Sequence, residues 1–205
     1  MKKILVSLVI ISIILMIVVS ATVAYFSDSE TNRGNTFANG TLDLQISDQD
    51  DPWGDGVTAT WVMDDMIPGD ISARNSVYLR NIGSIEADHV EISVENITTD
   101  PNNEESDIEH PTIDNLDKWM EIIEMYYSGN NVLIGLNDNN ANGWKDLDDL
   151  ESQGLNDLTP SPSANSGNMK TFTMQLKFRE DIGNEFQGDV LESTFTFRLN
   201  QDASQ

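Results

Sequence analysis

The 205-residue chain contains no cysteine. This absence excludes disulfide bridges, thiolate metal sites and a cysteine nucleophile. It also removes the covalent links that stabilise many exported domains. A folded domain of this chain therefore depends for its stability on its hydrophobic core, on bound ions or on neighbouring subunits.

Basic residues are scarce as well. The chain has 11 lysines and arginines against 35 aspartates and glutamates, which gives a formal net charge of -24. Such a charge repels nucleic acid phosphates and anionic lipids, so we expect neither as a partner. A solvated acidic surface without a specific ligand explains most of these carboxylates.

Recognisable catalytic motifs are also missing. The chain has two histidines, His89 and His110, and neither lies in an H-E-x-x-H helix that would hold zinc. No G-x-S-x-G nucleophile elbow or phosphate-binding glycine loop is present. The two histidines could meet an acidic residue around a zinc ion, but ordinary surface histidines are the simpler interpretation. We therefore expect a protein that is not an enzyme.

The first 24 residues have the character of an export signal. Lys2 and Lys3 precede a long apolar run over residues 4–24, which ends in small residues. We expect signal peptidase to cut between Ala24 and Tyr25 and to release a secreted, extracellular domain. The alternative is a retained membrane anchor, because the run approaches the roughly 20 residues that span a bilayer. Either way, contact with the membrane is expected only through this segment.

Most of the remaining chain alternates between apolar and polar residues. A period of two is typical of strands with one buried and one solvated face, and clusters of Gly, Asn, Asp and Pro separate the runs. The pattern predicts an all-β, antiparallel β-sandwich and leaves the strand order open. The alternating apolar residues are Leu42, Leu44 and Ile46; Val57, Ala59, Trp61 and Met63; Val77 and Leu79; Val90, Ile92 and Val94; Phe172, Met174, Leu176 and Phe178; and Phe195, Phe197 and Leu199.

Residues 100–168 have a different composition. They are rich in Asp, Asn, Ser and Gly, and we predict a polar insertion outside the sheet framework. Apolar spacing within it predicts a short helix over residues 113–119 that runs into a strand. The same residues also fit a hairpin, whose turn would fall at residues 128–131.

Residues 138–149 fit the twelve-residue calcium loop D-x-[DN]-x-[DN]-G-x5-[DE]. Calcium takes about six to eight oxygen ligands, which a tight loop supplies from alternate positions. Gly143 stands at the sixth position, where the chain turns sharply. An Asp- and Asn-rich surface loop is the simpler alternative in so acidic a protein. The predicted ligands of a structural Ca²⁺ ion are Asp138, Asn140, Asn142, Trp144 through its carbonyl, Asp146 and Asp149.

Two Asn-x-Thr sequons, at Asn39 and Asn96, are candidate glycosylation sites in a surface protein. Short motifs of this kind arise often by chance. They are therefore weak indications.

Both ends of the domain contain stretches with a distinctive sequence. The most specific is AYFSDSE at residues 24–30, which is followed by NTFANGTLDL at residues 35–44. Shorter stretches come after it, with IPGD at 67–70, VYLRNIGS at 77–84, FQG at 186–188 and STFTF at 193–197. In this order they resemble the camelysin/TasA family of exported fibre-forming proteins from biofilm matrices and cell surfaces, with related archaeal bundling pili; the later stretches are the weaker similarities. The middle of the chain is largely uncovered.

The resemblance implies a jelly-roll fold whose first segment leaves its own subunit and completes a sheet in the next copy. The expected partners are thus copies of the chain itself, in a head-to-tail extracellular filament. The family's protease label is not carried over, since the chain lacks a metalloprotease motif. A membrane-tethered monomeric surface domain is the main alternative, and a camelysin-like metalloprotease ranks below it. The implied donor strand includes Tyr25, Phe26, Ser27, Asp28 and Phe37.

Overall fold

The computed structural model describes residues 40–48, 51–57, 61, 63, 65–99, 115–165, 167–182, 186 and 188–201. All of them belong to the unit Gly40–Gln205. The predicted leader, its cleavage site, the donor strand and the sequon at Asn39 lie outside the described residues, and so does His110. No helix in the described ranges is long and apolar enough to span a membrane.

The described residues form two antiparallel sheets. The first has five strands in the order β1-β2-β7-β4-β5: β1 (Leu44–Ser47), β2 (Asn75–Asn81), β7 (Lys170–Phe178), β4 (Met120–Tyr127) and β5 (Asn130–Asn131). The second has three in the order β6-β3-β8: β6 (Leu155–Leu158), β3 (His89–Thr99) and β8 (Val190–Asn200). Short helices complete the framework: two 3₁₀ helices, Leu116–Trp119 and Leu133–Gly135, and α1 (Leu147–Gln153).

Alternating burial explains why most of the predicted strands form. In β7, Phe172 and Met174 are fully buried, while Thr173 between them is half-buried. Buried side chains from both sheets, such as Leu79 of β2 and Ile92 of β3, share one hydrophobic core. The all-β prediction is confirmed, whereas the jelly-roll topology stays a prediction.

The predicted strand over residues 57–63 is wrong for the residues described there. Val57, Trp61 and Met63 lie outside any strand. Trp61 instead packs its ring against Phe195 at 5.3 Å between centroids, and its indole Nε1 donates a hydrogen bond to the Met174 carbonyl at 2.9 Å. The apolar side chains of this segment pack against the core, which explains why they alternate with polar residues. The described residues of the segment do not pair with a strand.

The prediction that residues 100–168 lie outside the sheets also needs correction. Strand β4 lies between β7 and β5, and β6 pairs with β3, so both are part of the framework. A register shift between Ile122 and Glu124 changes which residues of β4 face the core. This bulge gave the sequence a helix-like spacing, because an extra residue interrupts the period of two.

The ends of β4 agree with the more local predictions. The expected short helix before β4 is a 3₁₀ helix over Leu116–Trp119. The described residues of this stretch begin at Asn115, which is not helical, so the helix starts later than the predicted residue 113. The hairpin alternative is correct too, because β4 pairs with β5 across the turn at Ser128 and Gly129.

Replacing Met125 by alanine tests the assignment of β4 to the core. Met125 is 0% exposed, and truncating such a side chain should lower the free energy of unfolding by about 2–5 kcal/mol. Ile134→Ala is the control, because Ile134 is 77% exposed and should change stability by no more than about 0.5 kcal/mol. Urea denaturation measures both, and similar losses in the two variants would contradict this account of β4.

Candidate functional site

The predicted calcium loop leads directly into α1. Asp146 caps the helix: its carboxylate accepts a hydrogen bond from the Asp149 N–H at 2.9 Å. The Asp149 carboxylate accepts one in return from the Asp146 N–H at 3.3 Å. This reciprocal capping box satisfies N–H groups that the first helical turn leaves unpaired. Two predicted ligands are therefore fixed at the start of the helix.

Asp138 organises the first half of the loop. Its carboxylate accepts hydrogen bonds from the backbone N–H groups of Asn142 at 3.1 Å and of Gly143 at 3.0 Å. Gly143 has a φ of +100°, which residues with a side chain rarely adopt. The turn thus requires glycine at the sixth position, as the motif predicts.

Three carboxylates converge at the end of the loop. Oxygens of Asp146, Asp148 and Asp149 lie within 4.8 Å of one another. Asp146 and Asp149 are completely buried. Burial raises the pKa of Asp146, and the negative charge of Asp149 acts in the same direction, while hydrogen bonds from Asn142 and Asn140 oppose the rise. Such a group of acids favours a compensating positive charge.

Asparagine side chains provide part of that compensation. The Asn142 amide donates to Asp146 at 2.7 Å, and the Asn140 amide donates to Asp148 at 3.0 Å. The structure therefore brings four predicted ligands together: Asn140, Asn142, Asp146 and Asp149. A cation between the carboxylates would require both amides to turn their oxygens inward, because an amide nitrogen is not a ligand for Ca²⁺.

Asp117 is a neighbour of the loop that sequence reasoning missed. It lies in the first 3₁₀ helix and is 3% exposed. Burial raises its pKa to about 6, and the charges of Asp148 and Glu151 add to the rise. Asp117 lies far from these acids along the chain, so no local motif could reveal their proximity.

Trp144 fixes the loop to the first 3₁₀ helix and to Arg179, the residue that follows β7. Its ring lies 4.1 Å from the guanidinium carbon of Arg179 and 5.5 Å from the ring of Trp119. Its indole Nε1 also donates a hydrogen bond to the Lys118 carbonyl at 2.9 Å. Arg179 is itself held by two 2.8 Å hydrogen bonds to Asp181. The side chain of Trp144 therefore has a positioning role, whatever its carbonyl binds.

The second sequon lies beside this assembly. The Asn96 amide nitrogen donates to the Leu147 carbonyl at 2.9 Å and to Glu151 at 3.1 Å. Its oxygen accepts a hydrogen bond from the Ser193 hydroxyl at 2.6 Å. A glycan would replace one of the two hydrogens on that same nitrogen, so a modified Asn96 could not keep both of its hydrogen bonds to α1.

His89 begins β3 and is 1% exposed. Its Nδ1 lies 3.2 Å from an Asp88 carboxylate oxygen, and its Nε2 lies 3.1 Å from the Asn200 amide nitrogen. Carboxylate oxygens of Glu91 and Asp157 are 3.5 and 3.9 Å from Nε2. The expectation of an ordinary surface histidine is wrong for His89, because the end of β8 and the neighbouring acids enclose the ring.

A protein-family model described as camelysin metallo-endopeptidase matches residues 1–205 of this chain. The chain belongs to the camelysin family. That family includes TasA, so the resemblance carried by the two ends of the chain is confirmed. No curated protein matches this camelysin-family chain.

The family's description implies a catalytic metal, and the described residues can be compared with what such a metal requires. A catalytic zinc site commonly uses histidine ligands and leaves one position open to water. His89 is the one histidine among the described residues, and its buried ring leaves no such opening. The loop carboxylates offer only oxygen, which suits Ca²⁺ or Mg²⁺. Within the part of the chain that the structure describes, neither group fits a catalytic zinc.

Asp117→Asn should stabilise the protein at pH 7 in the presence of a chelator. The folded-state pKa of Asp117 lies near 6, above the ordinary value of 3.8, so ionising this carboxyl costs stability as the pH rises from about 4 to about 6. The cost is at most about 3 kcal/mol, and the amide removes it. Chemical denaturation at pH 4 and pH 7 should therefore show a gain only at pH 7. The exposed Asp43→Asn serves as the control, and a gain of equal size at both pH values would contradict this explanation.

Proposed function

We propose that this camelysin-family protein is a structural subunit of an exported filament at a cell surface or in a biofilm matrix. Assembly would occur by strand addition, with the N-terminal segment of one copy as the donor. The observation that carries the proposal is the incomplete side of the second sheet, at β8. Family membership supports it through TasA, although the family model is described as an endopeptidase.

The backbone of β8 offers a long edge. This 11-residue strand pairs along its whole length with β3, and among the described residues it has no second neighbour. An open edge presents unpaired N–H and C=O groups, to which an extended peptide can add as a further strand. The three-stranded sheet also has two strands fewer than the five-stranded sheet that shares its core.

The core-facing side chains of β8 are incompletely covered. Phe195 and Phe197 are only half-buried, although they pack at 6.2 and 5.9 Å from the fully buried ring of Phe172. Their neighbours on β3, by contrast, are almost completely buried, with Ile92 at 1% exposed. Covering a large apolar side chain contributes about 1.5–3 kcal/mol at full burial, and part of this gain is available to a donor strand.

The donor would be the segment that contains Tyr25, Phe26, Ser27, Asp28 and Phe37, which lies outside the described residues. Its aromatic residues are suited to an apolar groove, and cleavage between Ala24 and Tyr25 would free it from the leader. Each copy would give one segment and receive another. Such a heterologous contact does not close on itself, so it generates a filament.

Calcium is proposed as the structural ion of the loop at residues 138–149. All the predicted ligands carry oxygen donors, and four of them already meet around the start of α1. An ion there would neutralise the buried carboxylates and hold a polar segment that has little apolar surface of its own. Through α1 and Asn96 it would also support β8.

The filament proposal can be tested with mature protein that begins at Tyr25, by negative-stain electron microscopy in the presence of calcium. Fibres are expected, and Phe26→Ala should slow or abolish them without lowering the melting temperature of the monomer. Thr31→Ala, a polar change in the same segment, is the matched control. Normal fibres from a protein that lacks residues 25–37 would refute donor-strand assembly.

The main competing function is a membrane-tethered monomer, which the long apolar leader favours. Mass spectrometry of the protein recovered from its host distinguishes the two cases. A chain that begins at Tyr25 supports release and assembly. A chain that retains residues 1–24 supports the tether.

A chelator should lower the melting temperature if the loop binds calcium. Binding at a hundredfold excess over the dissociation constant stabilises the folded state by about 2.7 kcal/mol. Asp138→Ala should abolish the sensitivity to the chelator. Asp138→Asn keeps one oxygen that can accept the hydrogen bonds of the turn. Comparing the two variants therefore distinguishes the loss of a calcium ligand from the disruption of the turn. Identical melting curves of the unmodified protein with and without calcium would argue against the ion.

A further inference from the structure

His89 lies at a junction of three strands. It is the first residue of β3, and its register partner Asn200 is the last residue of β8. Asp157, which approaches its Nε2, belongs to β6. The imidazole therefore contacts or faces every strand of the second sheet, at the end where β8 finishes.

The surroundings of the ring are strongly acidic. Asp88 faces Nδ1 at 3.2 Å, while Glu91 and Asp157 approach Nε2 at 3.5 and 3.9 Å. Among the paired residues of β3 and β8, the basic residue nearest to His89 is Arg198, which lies opposite Glu91. Three carboxylates thus face a ring that is 1% exposed, and a positive charge there would be attracted to all of them.

We propose that a protonated His89 acts as a clamp that holds the end of β8 to β3 and β6, and that loss of the proton loosens this end of the second sheet. An imidazolium donates from both nitrogens, so it can bond to Asp88 and to the Nε2 partners at once. A neutral ring has a single N–H and must give up one of these donations. In the structure the Asn200 amide nitrogen faces Nε2, the orientation that suits a bare Nε2. When the ring is protonated the amide turns its oxygen to the Nε2–H, and this charge-assisted hydrogen bond is the stronger of the two.

The direction of the pH effect follows from the balance of forces at the ring. Burial alone lowers the pKa of His89, but the hydrogen bonds to Asp88 and Glu91 and the charge of Asp157 outweigh it and raise the pKa above 6.5. The clamp is therefore fully present below pH 6.5 and is lost as the pH rises through the folded-state pKa. The clamp depends only on the geometry of His89, and it would stand even if β8 accepted no donor strand.

The test uses His110→Gln protein, in which His89 is the one remaining imidazole. Nuclear magnetic resonance of the labelled ring gives its titration midpoint. Hydrogen exchange at residues 195–200, corrected for the intrinsic effect of pH, gives the protection of the strand end. We expect a midpoint above 6.5 and a protection factor that falls about tenfold for each unit by which the midpoint exceeds 6.5.

Substitutions identify the groups that hold the proton. Asp157→Asn and Glu91→Gln should each lower the midpoint, whereas Glu95→Gln, on the same face of β3 but further from the ring, should leave it unchanged. His89→Gln should remove the pH dependence of protection. A midpoint at or below 6.5, or protection that does not follow the titration, would overturn the clamp. Because both are measured on protein that retains His89, the test does not depend on the folding of His89→Gln.

Discussion

The proposed function depends on one feature of the second sheet: its edge strand β8 has a partner strand on one side only among the described residues. A chain without cysteine cannot secure this strand covalently, so its attachment relies on non-covalent contacts along one side. The first sheet places β7 between two neighbours, with Phe172 and Met174 completely buried. The second sheet is smaller, and the core-facing side chains Phe195 and Phe197 of β8 are only half-buried. An additional strand from another copy would satisfy both the backbone edge and the half-buried aromatic residues.

Several polar contacts compensate for the weak hydrophobic cover of β8. Ser193 bonds to Asn96, which in turn bonds to α1, and Asn200 meets His89 at the far end of the strand. In the middle, Trp61 packs on Phe195 from a segment that forms no strand in its described residues. The loop that leads into α1 is fixed in a similar way, by the contacts of Trp144 and by the two aspartates that cap α1. Side-chain hydrogen bonds and packed aromatic rings thus help to hold both β8 and this loop in place.

The sequence was a good guide where one physical rule acted alone. Strands β2, β3, β7 and β8 follow from alternation, because each has one face in the core. The predicted calcium loop has the turn that its motif requires at Asp138 and Gly143. Prediction was poorer where tertiary contacts changed the pattern. The bulge in β4 disturbed its period, and Trp61 belongs to an alternating pattern whose described residues form no strand. The burial of Asp117 and His89 could not be predicted, since their partners lie on distant elements or at another strand's end.

A high-resolution cryo-electron microscopy map of the assembled fibre tests the central claim most directly. The account predicts density for residues 25–37 of one copy, paired along β8 of the next copy, with the Phe26 ring against Phe195 or Phe197. A map in which that segment folds back on its own subunit, or in which β8 has no partner strand from another copy, would contradict it.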